Sequence, residues 1–89
     1  MAVGVLFDGA GVSKAQYDAV NQQVTPGNKK PPGLLYHVAG TSEGGLCVVE
    51  VWESQEALQK FVDEKLGAAL QEANINIQPK FFQVINIME

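Results

Sequence analysis

Apolar residues recur along this chain with two different periods. Short runs rich in β-branched and aromatic residues are typical of strands, whereas apolar positions three and four residues apart are typical of helices. The predicted strands cover 2–7, 34–39, 46–52 and 81–88, and the predicted helices cover 14–24 and 55–73.

Two serines mark where the predicted helices begin. Ser13 and Gln16 have the spacing of a capping box, in which each side chain bonds a free backbone N–H of the first turn. Ser54 has the same position before the second helix, and Glu56 lies in its first turn, where a negative charge is favourable.

The element order β-α-β-β-α-β predicts an α+β, ferredoxin-like fold for a single domain covering 1–89. Its four strands form one antiparallel sheet with both helices on one face. Right-handed crossovers place the first and third strands centrally, which gives the spatial order 4-1-3-2.

The third predicted strand has two faces, and both are mainly apolar. Cys47, Val49 and Val51 form one face, which we expect to lie against the helices, so Cys47 is interpreted as a buried apolar residue and not as a nucleophile. The opposite face also needs cover, because large exposed apolar patches mark interfaces or ligand grooves. We therefore predict a two-fold homodimer whose sheets pack together, with a cavity between or beside them. A monomer with a tolerated apolar face, and a dimer that closes without a cavity, are the alternatives.

Composition narrows the possible partners. The 89 residues include six Lys and no Arg and carry a net charge of −4, which disfavours nucleic acid. No apolar run is long enough to span a membrane, and the start lacks the basic region of a signal peptide, so a cytoplasmic location is expected. With one Cys and one His, neither an intramolecular disulfide nor a metal site is expected.

His37 and Glu50 are the candidate catalytic residues. Imidazole exchanges protons near neutral pH, and Glu50 lies mid-strand, where a carboxylate needs polar partners. The two would form a pair if the hairpin register placed them opposite each other, which the sequence leaves open. The structural alternatives are a histidine that only hydrogen-bonds to a neighbour or borders solvent, and a strand-end glutamate paired with a lysine or with a second subunit.

Five further residues are candidates for contact with a ligand. Trp52 could stack on an aromatic molecule, and Tyr17 could supply a hydroxyl, although both could equally be packing residues. Gly4 would leave space beside its strand, either for a ligand or for a helix to approach. Phe82 and Asn86 alternate along the last predicted strand, and Asn86 could be a polar group of a pocket or form a hydrogen bond in a dimer interface. The candidate binding residues are Trp52, Tyr17, Gly4, Phe82 and Asn86.

The segments 32–40 (PGLLYHVAG), 44–54 (GGLCVVEVWES) and 56–58 (EAL) resemble the dimeric α/β-barrel superfamily, and within it small antibiotic-biosynthesis-monooxygenase-like proteins. The resemblance implies a homodimer with a pocket between the sheet and the helices of each subunit. Members include cofactor-independent oxygenases of polyketide quinones, haem-degrading enzymes, isomerases, cyclases and proteins with no known activity.

Two functions therefore compete. One is a monooxygenase-like enzyme that acts on a small, mostly apolar, aromatic or polyketide-like molecule without a metal or organic cofactor, with His37 transferring a proton and Glu50 orienting it. The other is a non-catalytic dimeric module that binds a small apolar ligand or stabilises a partner, in which both residues are dispensable.

Overall fold

The computed structural model describes residues 2–88, apart from the side chain of Gln78, and its element order is the predicted β-α-β-β-α-β. The second helix is continuous but contains a π-helical segment. The strands are β1 (Val3–Ala10), β2 (Leu34–Ser42), β3 (Gly45–Trp52) and β4 (Gln78–Gln83), and the helices are α1 (Lys14–Val24), α2 (Gln55–Phe61), the π-helical segment (Val62–Leu66) and α3 (Gly67–Glu72).

The four strands form one sheet in the order β2-β3-β1-β4. Each neighbouring pair is antiparallel, and β1 and β3 are central. This confirms the fold class and the strand order predicted from the sequence.

Both predicted helix starts are confirmed. The Ser13 hydroxyl accepts from the Gln16 backbone N–H at 3.2 Å, and the Gln16 side chain accepts from the Ser13 N–H at 2.9 Å. The Ser54 hydroxyl accepts from the Ala57 N–H at 3.1 Å. These bonds satisfy backbone donors that have no partner within the helix.

The helices cover the face of the sheet opposite to the one expected. Leu46, Val48 and Trp52 of β3 are buried beneath the helices. The centroid of the Trp52 ring lies 5.3 Å from the centroid of the Phe61 ring. Cys47 alternates with these residues, so it points to the other face and is exposed, which makes the interpretation of Cys47 as a buried residue wrong.

The last strand is shorter than predicted and begins earlier. β4 covers Gln78–Gln83, whereas the pattern predicted 81–88. Its partner β1 begins at Val3, which pairs with Gln83, and only the Ala2 carbonyl remains to accept from the Val84 N–H. The apolar alternation continues to 88, but the paired part of β1 begins at Val3, so β4 ends opposite that residue.

Gly67 lies where the second helix leaves its π-helical segment. Its N–H donates to the carbonyl of Val62, five residues earlier. A Cβ at this position would lie 3.0 Å from that carbonyl oxygen. Glycine therefore allows the backbone to come close there, which offsets its low helix propensity.

No helix within residues 2–88 is long and apolar enough to cross a membrane.

We predict that Gly45→Ala destabilises the protein and Gly44→Ala does not. Gly45 follows the hairpin turn with φ of 127°, and a Cβ there would lie 2.5 Å from the Gly9 carbonyl oxygen. Gly44 has open space around it and a negative φ. Urea unfolding should show a loss of about 1–3 kcal/mol for Gly45→Ala, and a change within about 0.5 kcal/mol for Gly44→Ala. Equal losses in both variants would contradict this account of the turn.

Candidate active site

The β2–β3 register places His37 directly opposite Glu50. Directly opposite residues of an antiparallel pair project to the same face, and the burial of Glu50 shows that this is the face beneath the helices. A register shift of one residue would have placed the two side chains on opposite faces of the sheet. The pairing that the sequence left open is therefore the one that the fold adopts.

Glu50 is the anchor of the site because both of its carboxylate oxygens have partners. The side chain is buried, and Oε1 accepts from the Trp52 Nε1–H at 2.9 Å. Oε2 lies 2.6 Å from the His37 Nδ1. Trp52, two residues further along β3, projects to the same face and is fully buried. A carboxylate can stay buried in an apolar layer when its oxygens are paired in this way.

Tyr17 extends the hydrogen bonds from the sheet to the first helix. Its hydroxyl oxygen lies 2.6 Å from His37 Nε2, and the two rings stack at 22° with centroids 6.1 Å apart. Tyr17 lies on the first turn of α1, directly after the Ser13 capping box. The cap fixes where the helix begins, and thereby the backbone position of Tyr17. Trp52, Glu50, His37 and Tyr17 therefore form one continuous hydrogen-bonded series, which we call the relay.

The hydrogen bonds assign the protons of the relay. An ionised Glu50 accepts twice, so the His37 Nδ1 carries a hydrogen and donates to it. The Nε2 of a neutral imidazole is then an acceptor, and it receives the Tyr17 O–H. Burial raises the pKa of Tyr17 above its usual 10.0, and the nearby negative charges of Glu50 and Asp18 raise it further. The phenol is therefore held protonated, as a donor to His37.

A cavity of about 220 Å³ lies beneath the helices, and all four members of the relay form part of its wall. Most of the remaining wall is apolar and comes from β1, β3 and both helices. Apolar wall residues include Phe7, Val12, Val20, Val24, Leu34, Leu46, Val48, Phe61, Leu66, Leu70, Ile75 and Ile77. A dry cavity of about 150 Å³ can already hold benzene, so this space admits a small aromatic molecule.

One part of the cavity wall is polar, and the sequence analysis did not single out its residues. Asn28, Lys29 and Lys30, which we call the loop rim, follow α1 and are exposed where they line the opening. Asn21 and Thr25 lie beneath them and bond each other at 2.7 Å. The Pro- and Gly-rich composition predicted only a loop here, and two adjacent lysines were the one available signal.

Three sequence-predicted binding residues lie elsewhere. Gly4 and Phe82 pair across β1 and β4, and the Phe82 ring covers Gly4 on the open face of the sheet. Strand alternation puts both residues on the face opposite the cavity. Asn86 lies beyond β4 in a segment without regular structure and is exposed. None of the three lines this cavity, whereas His37, Glu50, Trp52 and Tyr17 do.

Residues 2–88 contain no group of three or more His, Cys, Asp or Glu side chains that could hold a metal ion. The relay offers proton transfer and hydrogen bonding at the cavity. The relay supplies one acceptor and one donor beside an apolar space.

Comparison with known proteins places the fold. No protein-family model matches the sequence, and no curated protein matches it either. Solved structures do match along nearly the whole chain. The protein Rv0793 of Mycobacterium tuberculosis is 13% identical with a TM-score of 0.76, and the match covers 100% of both chains.

Two further structures carry names that bear on chemistry. A candidate antibiotic biosynthesis monooxygenase of Chloroflexus aurantiacus is 17% identical with a TM-score of 0.69, over 100% of this chain and 98% of that one. SnoaB, a cofactor-independent oxygenase of Streptomyces nogalater, is 12% identical with a TM-score of 0.68, over 98% and 95%. At these identities the likeness concerns the fold. It confirms the resemblance noted in the hairpin sequence: the chain has the ferredoxin-like fold of antibiotic-biosynthesis-monooxygenase-like proteins.

Proposed function

We propose that this protein is a monooxygenase-like enzyme that binds a small, mostly apolar aromatic molecule and removes a proton from it. The observation that carries the proposal is the relay, whose four members lie in the wall of a mostly apolar cavity. Such a cavity, with a few convergent polar groups, is the usual form of a small-molecule site. The name of SnoaB, an oxygenase with the same fold, adds support for this class of reaction.

The relay resembles a catalytic triad in the order of its groups, which is carboxylate, imidazole and hydroxyl. Glu50 fixes the tautomer and orientation of His37, and His37 accepts from a hydroxyl, here a phenol. Since Tyr17 occupies Nε2, a proton from the ligand reaches His37 either when Tyr17 moves aside or through the Tyr17 oxygen. The imidazolium that forms is stabilised by the buried Glu50 carboxylate.

The oxidation that we propose uses molecular oxygen and electrons from the substrate itself. An aromatic carbon acid such as an anthrone loses a proton from its ring CH₂ group to form a delocalised anion. This anion reduces O₂, one oxygen atom bonds to the carbon, and the other leaves as water, so that CH₂ and O₂ become C=O and H₂O. The scheme needs no metal or organic cofactor, because the anion is the reductant.

We also propose that the protein acts as a homodimer that covers the open face of the sheet. Val38, Val49 and Phe82 lie on that face with 67%, 39% and 42% of their surfaces exposed. An apolar face of this kind is typical of an interface, and it lies opposite the cavity. The apolar segment after β4, in which Ile85 is 98% exposed, would gain cover in the same assembly.

The first prediction concerns oxygen-dependent oxidation of 9-anthrone. His37→Asn should lower the rate by about 100-fold or more, because asparagine can still donate to Glu50 but cannot take up a proton. Tyr17→Phe should lower the rate less, since it removes only the donor. Oxygen consumption and quinone absorbance measure both. Tyr36→Phe is the matched control, because it removes a phenol hydroxyl from a tyrosine that does not line the cavity.

The same experiment separates the enzyme from a binding module. If anthrone binds, but the wild-type protein does not accelerate its oxidation and His37→Asn changes nothing, the enzyme proposal is wrong. The function that remains is then a non-catalytic module for a small apolar ligand, which needs only the cavity.

The second prediction concerns alkaline pH. Because the Tyr17 pKa is raised on folding, the folded state keeps a proton that the unfolded chain releases above pH 10.0. The contribution of this proton to stability is present below pH 10.0 and disappears as the pH rises through the folded-state pKa. Urea unfolding should therefore show wild type losing more stability above pH 10.0 than Tyr17→Phe does. Parallel losses in the two proteins would show that the phenol is not held protonated.

The third prediction concerns assembly. Light scattering at micromolar concentration should give the mass of a dimer for wild type and of a monomer for Val38→Glu, because the new charge would have to be buried in the interface. Ala68→Glu adds the same charge at an exposed position on the second helix and should remain dimeric. A monomeric wild-type protein would contradict the homodimer.

A further inference from the structure

The loop rim carries positive charge at the mouth of a cavity in an acidic protein. Lys29 and Lys30 are two of only six cationic side chains in a chain with net charge −4. Both are exposed and both line the opening. The Lys30 ammonium donates to the neutral Leu35 carbonyl oxygen at 3.4 Å, and within residues 2–88 neither lysine forms an ion pair with an acidic side chain.

Tyr17 of the relay and the loop rim lie toward opposite ends of α1. Tyr17 precedes Val24, the last residue of α1, by seven positions, and the loop rim lies beyond that end of the helix. At a rise of 1.5 Å per residue, these seven positions span about 10 Å. A ligand in contact with Tyr17 can therefore extend along α1 to reach the lysines.

The buried Glu50 carboxylate makes the two ends electrostatically unequal. An anionic group on a ligand would be repelled at the relay end, where Glu50 is shielded from solvent. The same group would be attracted at the loop rim, where the lysine charges have no acidic partner among the residues that the structure describes. This difference favours one orientation, with the acidic group outward and the apolar ring inward.

We infer that the ligand of this cavity is an aromatic acid, whose carboxylate is held by Lys29 and Lys30 while its ring system lies against the relay. The inference rests on the proposed function, since it names the substrate class of the same cavity. It assigns to the lysines a positioning role, because they contact the end of the ligand that does not react.

Calorimetric titration with 2-naphthoate and 2-naphthamide tests the inference, because the two probes have similar shape and differ in charge. Wild type should bind naphthoate about five- to tenfold more tightly, which is the effect expected of two solvent-exposed ion pairs. In the double variant Lys29→Gln/Lys30→Gln the preference should vanish while naphthamide affinity is unchanged. The wild-type preference should also shrink as salt is added.

Lys60→Gln/Lys65→Gln is the matched control. It removes the same number of charges from exposed positions that do not line the cavity, and it should keep the preference for naphthoate. Equal binding of the two probes to wild type, or a preference that survives Lys29→Gln/Lys30→Gln, would overturn the inference and leave the proposed function standing. If neither probe binds, the apolar cavity is not a ligand site, and the proposed function fails together with the inference.

Discussion

The buried carboxylate of Glu50 is the constraint on which the site depends. Removing a partner from a buried charge costs about 3–5 kcal/mol, so the fold must keep both hydrogen bonds of Glu50. One is to Trp52, which fixes the end of β3, and the other is to His37, which ties β2 to β3. The hydrogen-bonding need of a single side chain thus orients the imidazole. His37 in turn sets the position of the Tyr17 hydroxyl.

The two faces of the sheet present different side chains because strand residues alternate. Beneath the helices, Val48 and Trp52 line a mostly apolar cavity, and the relay adds hydrogen-bonding groups to its wall. On the open face, Val38 and Phe82 leave an apolar surface exposed. One layer can therefore serve ligand chemistry and the other assembly, without competition for the same side chains. Gly4 belongs to the second layer, where it makes room for the Phe82 ring.

Part of the site could be predicted from residue type alone. A carboxylate in the middle of an apolar strand and a lone histidine on the neighbouring strand stand out, and Tyr17 and Trp52 have both apolar surface and a polar atom. The sequence could not show that these four residues bond in series, because that needs the β2–β3 register and the position of α1 over the sheet. Alternation along the last predicted strand makes Phe82 and Asn86 candidates for contact with a ligand. Alternation fixes only which residues share a face of a strand, and not which part of the protein covers that face.

The sequence by itself determined the elements and their order, because periodicity and capping are local properties that a few neighbouring residues impose. Ser13, Gln16 and Ser54 begin their helices where the pattern predicts. Tertiary structure decided which face of the sheet the helices cover, which left Cys47 exposed, and where β4 ends, because strand length depends on a partner. It also decided that Lys29 and Lys30 border the cavity. Such features arise from contacts between residues distant in the chain, which no local pattern specifies.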